Sequence, residues 1–147
     1  MMSYMSSPVS SFDSNVPAYE KKDNYGRTPL FCAAQRGNLE TVKFLVEELD
    51  ADAEATDGRL ATPLHIAAHN GHLAVVQYLV ETCSVNPDPE DLDGNTPILL
   101  AGIEGHTEVI KYLIERGANT DVISCEGLTL LHVAALNNDI ELAVMLC

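Results

Sequence analysis

Apolar residues recur along this chain in short helical phases at i, i+3 and i+4, parted by stretches of Asp, Asn and Gly. Leu30/Ala33/Ala34, Leu64/Ala67/Ala68, Ile98/Ala101/Gly102 and Leu131/Ala134/Ala135 each mark one face of a short helix. A longer phase follows each of them: Leu39/Val42/Leu45/Val46, Leu73/Val76/Leu79/Val80, Thr107/Ile110/Leu113/Ile114 and Ile140/Ala143/Leu146/Cys147. The pattern predicts helices in pairs, one short and one longer. Residues 1–22 hold no such phase, and their many serines predict an unstructured tail.

The punctuation between the phases repeats as well. Thr28-Pro29-Leu30 returns as Thr62-Pro63-Leu64, Thr96-Pro97-Ile98 and Thr129-Leu130-Leu131, at intervals of 34, 34 and 33 residues. Threonine suits a helix N-cap, where its hydroxyl accepts from an orphan amide. Proline at the next position sits where a missing N–H costs nothing. Gly37, Gly71 and Gly105 are placed to end the short helices in a left-handed conformation, and Asn138 is the best non-glycine substitute. Asp93-Gly94-Asn95 and Glu126-Gly127-Leu128 fit a turn or hairpin ahead of the next threonine. One helix pair cannot bury its own apolar face, so neighbouring pairs must wall one another in.

These residues carry a resemblance. The run from Thr62 to Val76, with Gly94-Asn95-Thr96-Pro97 and Gly105-His106-Thr107-Glu108-Val109-Ile110, closely resembles the signature of the ankyrin repeat family. The likeness covers residues 23–147, as units at 23–56, 57–90, 91–123 and 124–147. It implies an all-α repeat solenoid of about four repeats, the last incomplete, with stacked antiparallel helix pairs and β-hairpin fingers projecting from them. It further implies that His65 and His132 hydrogen-bond near a finger turn. The chain departs from the family pattern in places. Phe31 and Leu99 replace that histidine, Leu130 replaces the proline, and Leu60 stands where the finger glycine belongs. The fourth unit stops inside its second helix on nearly continuous apolar residues, so the chain is expected to be a fragment or the first part of a longer array.

Charge changes the picture of partners. Eight Lys+Arg against 22 Asp+Glu give a net charge of −14, which argues against nucleic acid and anionic membranes, since phosphates are bound by neutralising them. No stretch approaches the length of a membrane span. Cys32, Cys83, Cys125 and Cys147 are far apart, as thiols in a reducing interior are, and a cytoplasmic or nuclear location is expected. His65, His69 and His72 superficially resemble a zinc set, but Ile66 stands where a metalloprotease helix needs Glu. The acidic runs Glu47–Asp57 and Asp88–Asp93 match no calcium loop and read as solvated. No cofactor, metal or catalytic residue is expected, and the chain is not expected to be an enzyme.

The resemblance places partner contacts on the fingers and on the ends of the short helices. Carried over, these are Tyr25, Arg27, Gln35 and Arg36; Arg59, His69 and Asn70; Asp93, Asn95, Ile103 and Glu104; and Glu126, Leu136 and Asn137. The first half of this strip is basic and aromatic, the second acidic and apolar. An extended ligand with its acidic part toward the first unit would match it. The expected function is a non-enzymatic protein–protein interaction module, a scaffold or adaptor, acting as a monomer. The alternatives are a regulatory arm of a larger enzyme, ubiquitin ligase or channel, and an acidic inhibitor masking a basic partner.

Overall fold

Each short helix begins one residue after a threonine in the computed structural model, which describes residues 15–147. The helices run α1 (Pro29–Arg36), α2 (Leu39–Glu47), α3 (Pro63–His69), α4 (Leu73–Gln77), α5 (Pro97–Ile103), α6 (Thr107–Glu115), α7 (Leu130–Leu136) and α8 (Ile140–Leu146). The hydroxyls of Thr28, Thr62 and Thr129 accept from the amides of Phe31, His65 and His132. Thr96 breaks the rule, for its hydroxyl is buried without a partner. Gly37, Gly71, Gly105 and Asn138 end the short helices at φ of 72°, 74°, 78° and 53°. Gly37 and Gly71 meet a second demand. A Cβ there would come within 2.4 and 2.5 Å of the imidazoles of His72 and His106 in the next unit.

The long helices show why the interval shortens from 34 to 33. One residue more separates Leu79 from the left-handed Ser84 than separates Leu113 from Gly117. The extra residue is absorbed as a π-helical turn at Tyr78–Thr82, continuing α4, and Val85 N–H closes back on the Leu79 carbonyl. In the third unit Ala118 N–H closes on Leu113 instead, one residue tighter.

The short helices stack in a row, α1 on α3, α3 on α5 and α5 on α7, each also packed on its own long helix. Leu30, Leu64 and Ile98 lie between layers at 1% exposure or less, beside Ala33, Ala67 and Ala101. Gly102 keeps α5 close to α7, since a Cβ there would meet Val133 Cγ1 at 2.9 Å. Leu131 holds the equivalent position in the fourth layer but is 50% exposed, contrary to the expected buried phase. In the first three layers the unit that follows packs over this position, and the described residues hold no fifth helix pair. Leu130, in the proline's place, is buried instead.

The long-helix phase also shifts. Val75, Val109 and Leu142 are buried, whereas Leu73 and Thr107 are half-buried and Ile140 is exposed. At about 100° per residue, Val75, Val76 and Leu79 form one stripe, and Leu73 falls at its edge.

The fingers form turns, and the expected β-hairpins are not shown among the described residues. Among the described residues the single bridge joins Ile123 and Thr129. Asp23, Asp57 and Asp91 each use Oδ1 to accept the amides two and four residues on, and Ser124 does the same with its hydroxyl. A side chain thereby takes the amides that a strand partner would have taken. Successive fingers share one backbone bond each: Gly58 N–H to Tyr25, Leu92 N–H to Arg59, Cys125 N–H to Asp93. Leu60 adopts φ of 63° where the other fingers carry Gly26, Gly94 and Gly127, a conformation that costs a leucine roughly 1–2 kcal/mol.

Of the expected tail, residues 1–14 lie outside the described residues. Ala18–Glu20 form a 3-10 turn, with Tyr19 packed on the core and Glu20 accepting the Asp52 amide at 3.2 Å. Packing therefore starts ahead of residue 23.

The layer arrangement separates two leucines of identical register. Leu64→Ala should cost about 2–5 kcal/mol in a urea titration, and Leu131→Ala about 1 kcal/mol. Equal losses would contradict the direction of stacking.

Candidate partner-binding groove

A buried imidazole ties the second unit to the third. Thr62 N–H donates to His65 Nδ1 at 2.9 Å, so Nδ1 carries no proton and Nε2–H donates to the Asn95 carbonyl at 2.8 Å. Asn95 belongs to the third finger, closed by Asp91 N–H donating to the same carbonyl. Burial pushes His65 below its ordinary pKa, and the bond to Asn95 opposes that shift only in part. The family's histidine role is met here. His132 is exposed and bonds only Thr129 of its own unit.

Fingers and short helices enclose a groove. Part of it is a cavity of about 260 Å3 lined by Phe31, Asp57, Arg59, Ala61, His65, Ile66, His69, Asp91 and Leu100. Phe31, Ile66 and Leu100 make the floor apolar, and two finger carboxylates stand over it. At the open end of the stack, Ile123, Thr129, Leu131 and Leu146 line a hollow of about 350 Å3.

The ankyrin repeat family model, described as "Ankyrin repeats (3 copies)", matches residues 9–91 and again 64–147. The chain belongs to the ankyrin repeat family. No curated protein matches it. Ankyrin repeats are in general protein–protein interaction modules, so the groove is the surface of interest.

The ankyrin array uses several of the expected contact residues for its own cohesion. Arg27 Nε sits 2.7 Å from Asp23 Oδ2, and its guanidinium lies over the Tyr25 ring. The Arg27 amide, Arg27 guanidinium and Tyr25 amide hold the Asp23 carboxyl below the usual carboxylate range. Arg59 pairs with Asp93 at 2.6 Å. Asn70 and Asn137 clamp the preceding layer, their amides donating to the carbonyls of Gln35 and Gly102 at 3.1 and 2.7 Å. His69 Nε2 lies 3.8 Å from Glu104. Tyr25, Ile103 and Leu136 project from the strip at 72%, 42% and 77% exposure, and Arg36 and Glu126 are also exposed. Two of the basic groups in the first half are thus already neutralised.

The expected strip omitted the cavity floor. Ile66 and Leu100 lie one helical turn before His69 and Ile103, so the i−3 spacing carried a signal for them. It also omitted Asp57 and Asp91, which stand a repeat apart in the runs read as solvated. Among the described residues no group of three or more His, Cys, Asp or Glu is arranged for a metal. Burial pushes the Cys83 thiol up, away from the thiolate that nucleophilic chemistry needs.

His65 makes stability depend on pH. Above about pH 6.5 the imidazole is neutral in folded and unfolded chains alike, and its contribution is complete. Below that, the unfolded chain takes up a proton that the folded chain resists, so stability falls as pH falls. His65→Leu, which copies Leu99, should lose about 1–3 kcal/mol at about pH 8 and flatten this acid limb. Urea titrations at about pH 8 and about pH 5 check both effects.

Proposed function

We propose that this array is a non-enzymatic scaffold or adaptor that holds a partner protein along the groove of fingers and short helices. The observation carrying the reading is the solvent-open cavity with an apolar floor, set between exposed finger tips whose turns are fixed from within. An apolar recess with a rigid polar rim is what a partner side chain needs to anchor. With Arg27 and Arg59 engaged internally, the groove presents more free negative than positive charge, and a basic partner fits it better than a ligand of alternating polarity. The acidic ligand end expected opposite the first unit finds Arg36 there without an ion-pair partner among the described residues.

All four cysteines are free, and among the described residues no helix is long and apolar enough to cross a membrane. A reducing compartment, cytoplasm or nucleus, suits such thiols.

Affinity capture with the whole chain, repeated with Tyr25→Ala/Ile103→Asp, tests the reading. Both side chains are exposed, so the variant should melt like the parent while its captured partner falls at least about tenfold, as for loss of one interface anchor. Undiminished capture would place the partner elsewhere.

A further inference from the structure

We propose that the second finger and the cavity behind it form a docking site for an extended partner segment in which an arginine stands beside an aliphatic residue. The proposal rests on the groove reading and narrows it to one subsite.

The first unit shows what a finger carboxylate of this array takes up. Asp23 spends Oδ1 on its own turn, and Oδ2 holds the Arg27 guanidinium. Asp57 and Asp91 spend Oδ1 in the same way. Ala61 and Asn95, however, stand at the positions equivalent to Arg27. No donor among the described residues reaches Oδ2 of either aspartate. Arg59 lines the same cavity with its guanidinium bonded to Asp93, and Asp91 and Asp57 also feel its charge. Two carboxylates therefore face one cavity whose single guanidinium, that of Arg59, is already paired with Asp93, in a chain of net charge −14. Charge complementarity calls for a guanidinium from outside, bound as Arg27 is bound at Asp23.

The rest of the cavity specifies the neighbour of that arginine. Phe31, Ile66 and Leu100 form an apolar floor. Leu60, which stands in sequence between the lining residues Arg59 and Ala61, keeps the left-handed conformation that glycine fills in the other fingers, and it is 49% exposed. A leucine here strains the backbone and buries little in return, whereas contact with an aliphatic side chain of the partner gives it a use. The partner's arginine lies against Asp57 and Asp91, and its aliphatic neighbour covers Ile66, Leu100 and Leu60.

A random linear-peptide library displayed on phage, selected against the whole chain, tests the proposal. Enriched peptides are expected to share an arginine adjacent or nearly adjacent to an aliphatic residue. For a synthetic copy of one such peptide, Asp57→Asn and Asp91→Asn keep the Oδ1 acceptor of each turn and should each weaken binding about tenfold. Leu60→Gly should weaken binding about fivefold and yet raise the thermal midpoint by about 3 °C, because glycine relieves the strain. A merely structural residue does not move these two readouts in opposite directions. Enrichment of acidic peptides, or of none, overturns the subsite, and so does unchanged binding in all three variants. In that last case, loss of the peptide in Tyr25→Ala/Ile103→Asp leaves the groove reading standing, and full binding there ends both.

Discussion

The structure depends on each apolar layer being covered by the layer that follows it. Leu30, Leu64 and Ile98 share one register and are all but fully buried, whereas Leu131, in the same register, is half-exposed. The side chain is a large aliphatic one throughout this series, and the fourth layer differs in having no following helix pair among the described residues. Burial in the array is thus a property of neighbours and not of a single unit, as the energetics of linear repeat stacks require. The small residues of the short helices serve the same end. Gly102 lets Val133 approach to a distance that a methyl group would prevent.

Polar contacts between layers mostly run in one direction, with the later unit donating and the earlier unit accepting. Tyr78 donates to Glu47 and Tyr112 to Glu81, and burial with the Glu81 bond pushes the Tyr112 hydroxyl up to about 12. The Asn86 amide donates to Glu54 and the Asn119 amide to Asp88. Phe44 occupies the position of Tyr78 in the first unit, and its place in the ladder explains the missing hydroxyl, since no earlier unit offers it a glutamate among the described residues. Four carboxylates therefore form a row of acceptors facing the next unit, and the runs Glu47–Asp57 and Asp88–Asp93 are more than solvated loops.

What could be read from the sequence divides along the range of the interaction responsible. Threonine caps and left-handed glycines act within four residues, and Thr28, Thr62, Gly37 and Gly71 stand where the pattern puts them. The repeat period fixed the stack, because four anchors in phase leave few other arrangements. The exposure of Leu131 was not legible, since local periodicity carries no information on whether a next layer exists. The fingers read as a turn or hairpin from their Asp, Gly and Asn, family likeness chose the hairpin, and the aspartate oxygens that close the turns look, in sequence, like any others. Among the contact residues, Asn70 and Asn137 seemed free of the fold because their clamps reach back a whole repeat, to Gln35 and Gly102.

The groove inherits its uneven stiffness from the same long-range bonds. Between the second and third units, one core imidazole holds the short helix of one layer to the finger of the next, and Asp91 closes that finger from its other side. Phe31 has no ring nitrogen with which to hold the second finger, and His132 bonds only its own threonine. A surface loses the least entropy on binding where it is already fixed. The stretch from Ile66 to Asp91 is the part of the groove whose walls are set by the folding core itself. Recognition there draws on preorganisation that the first and fourth units do not share.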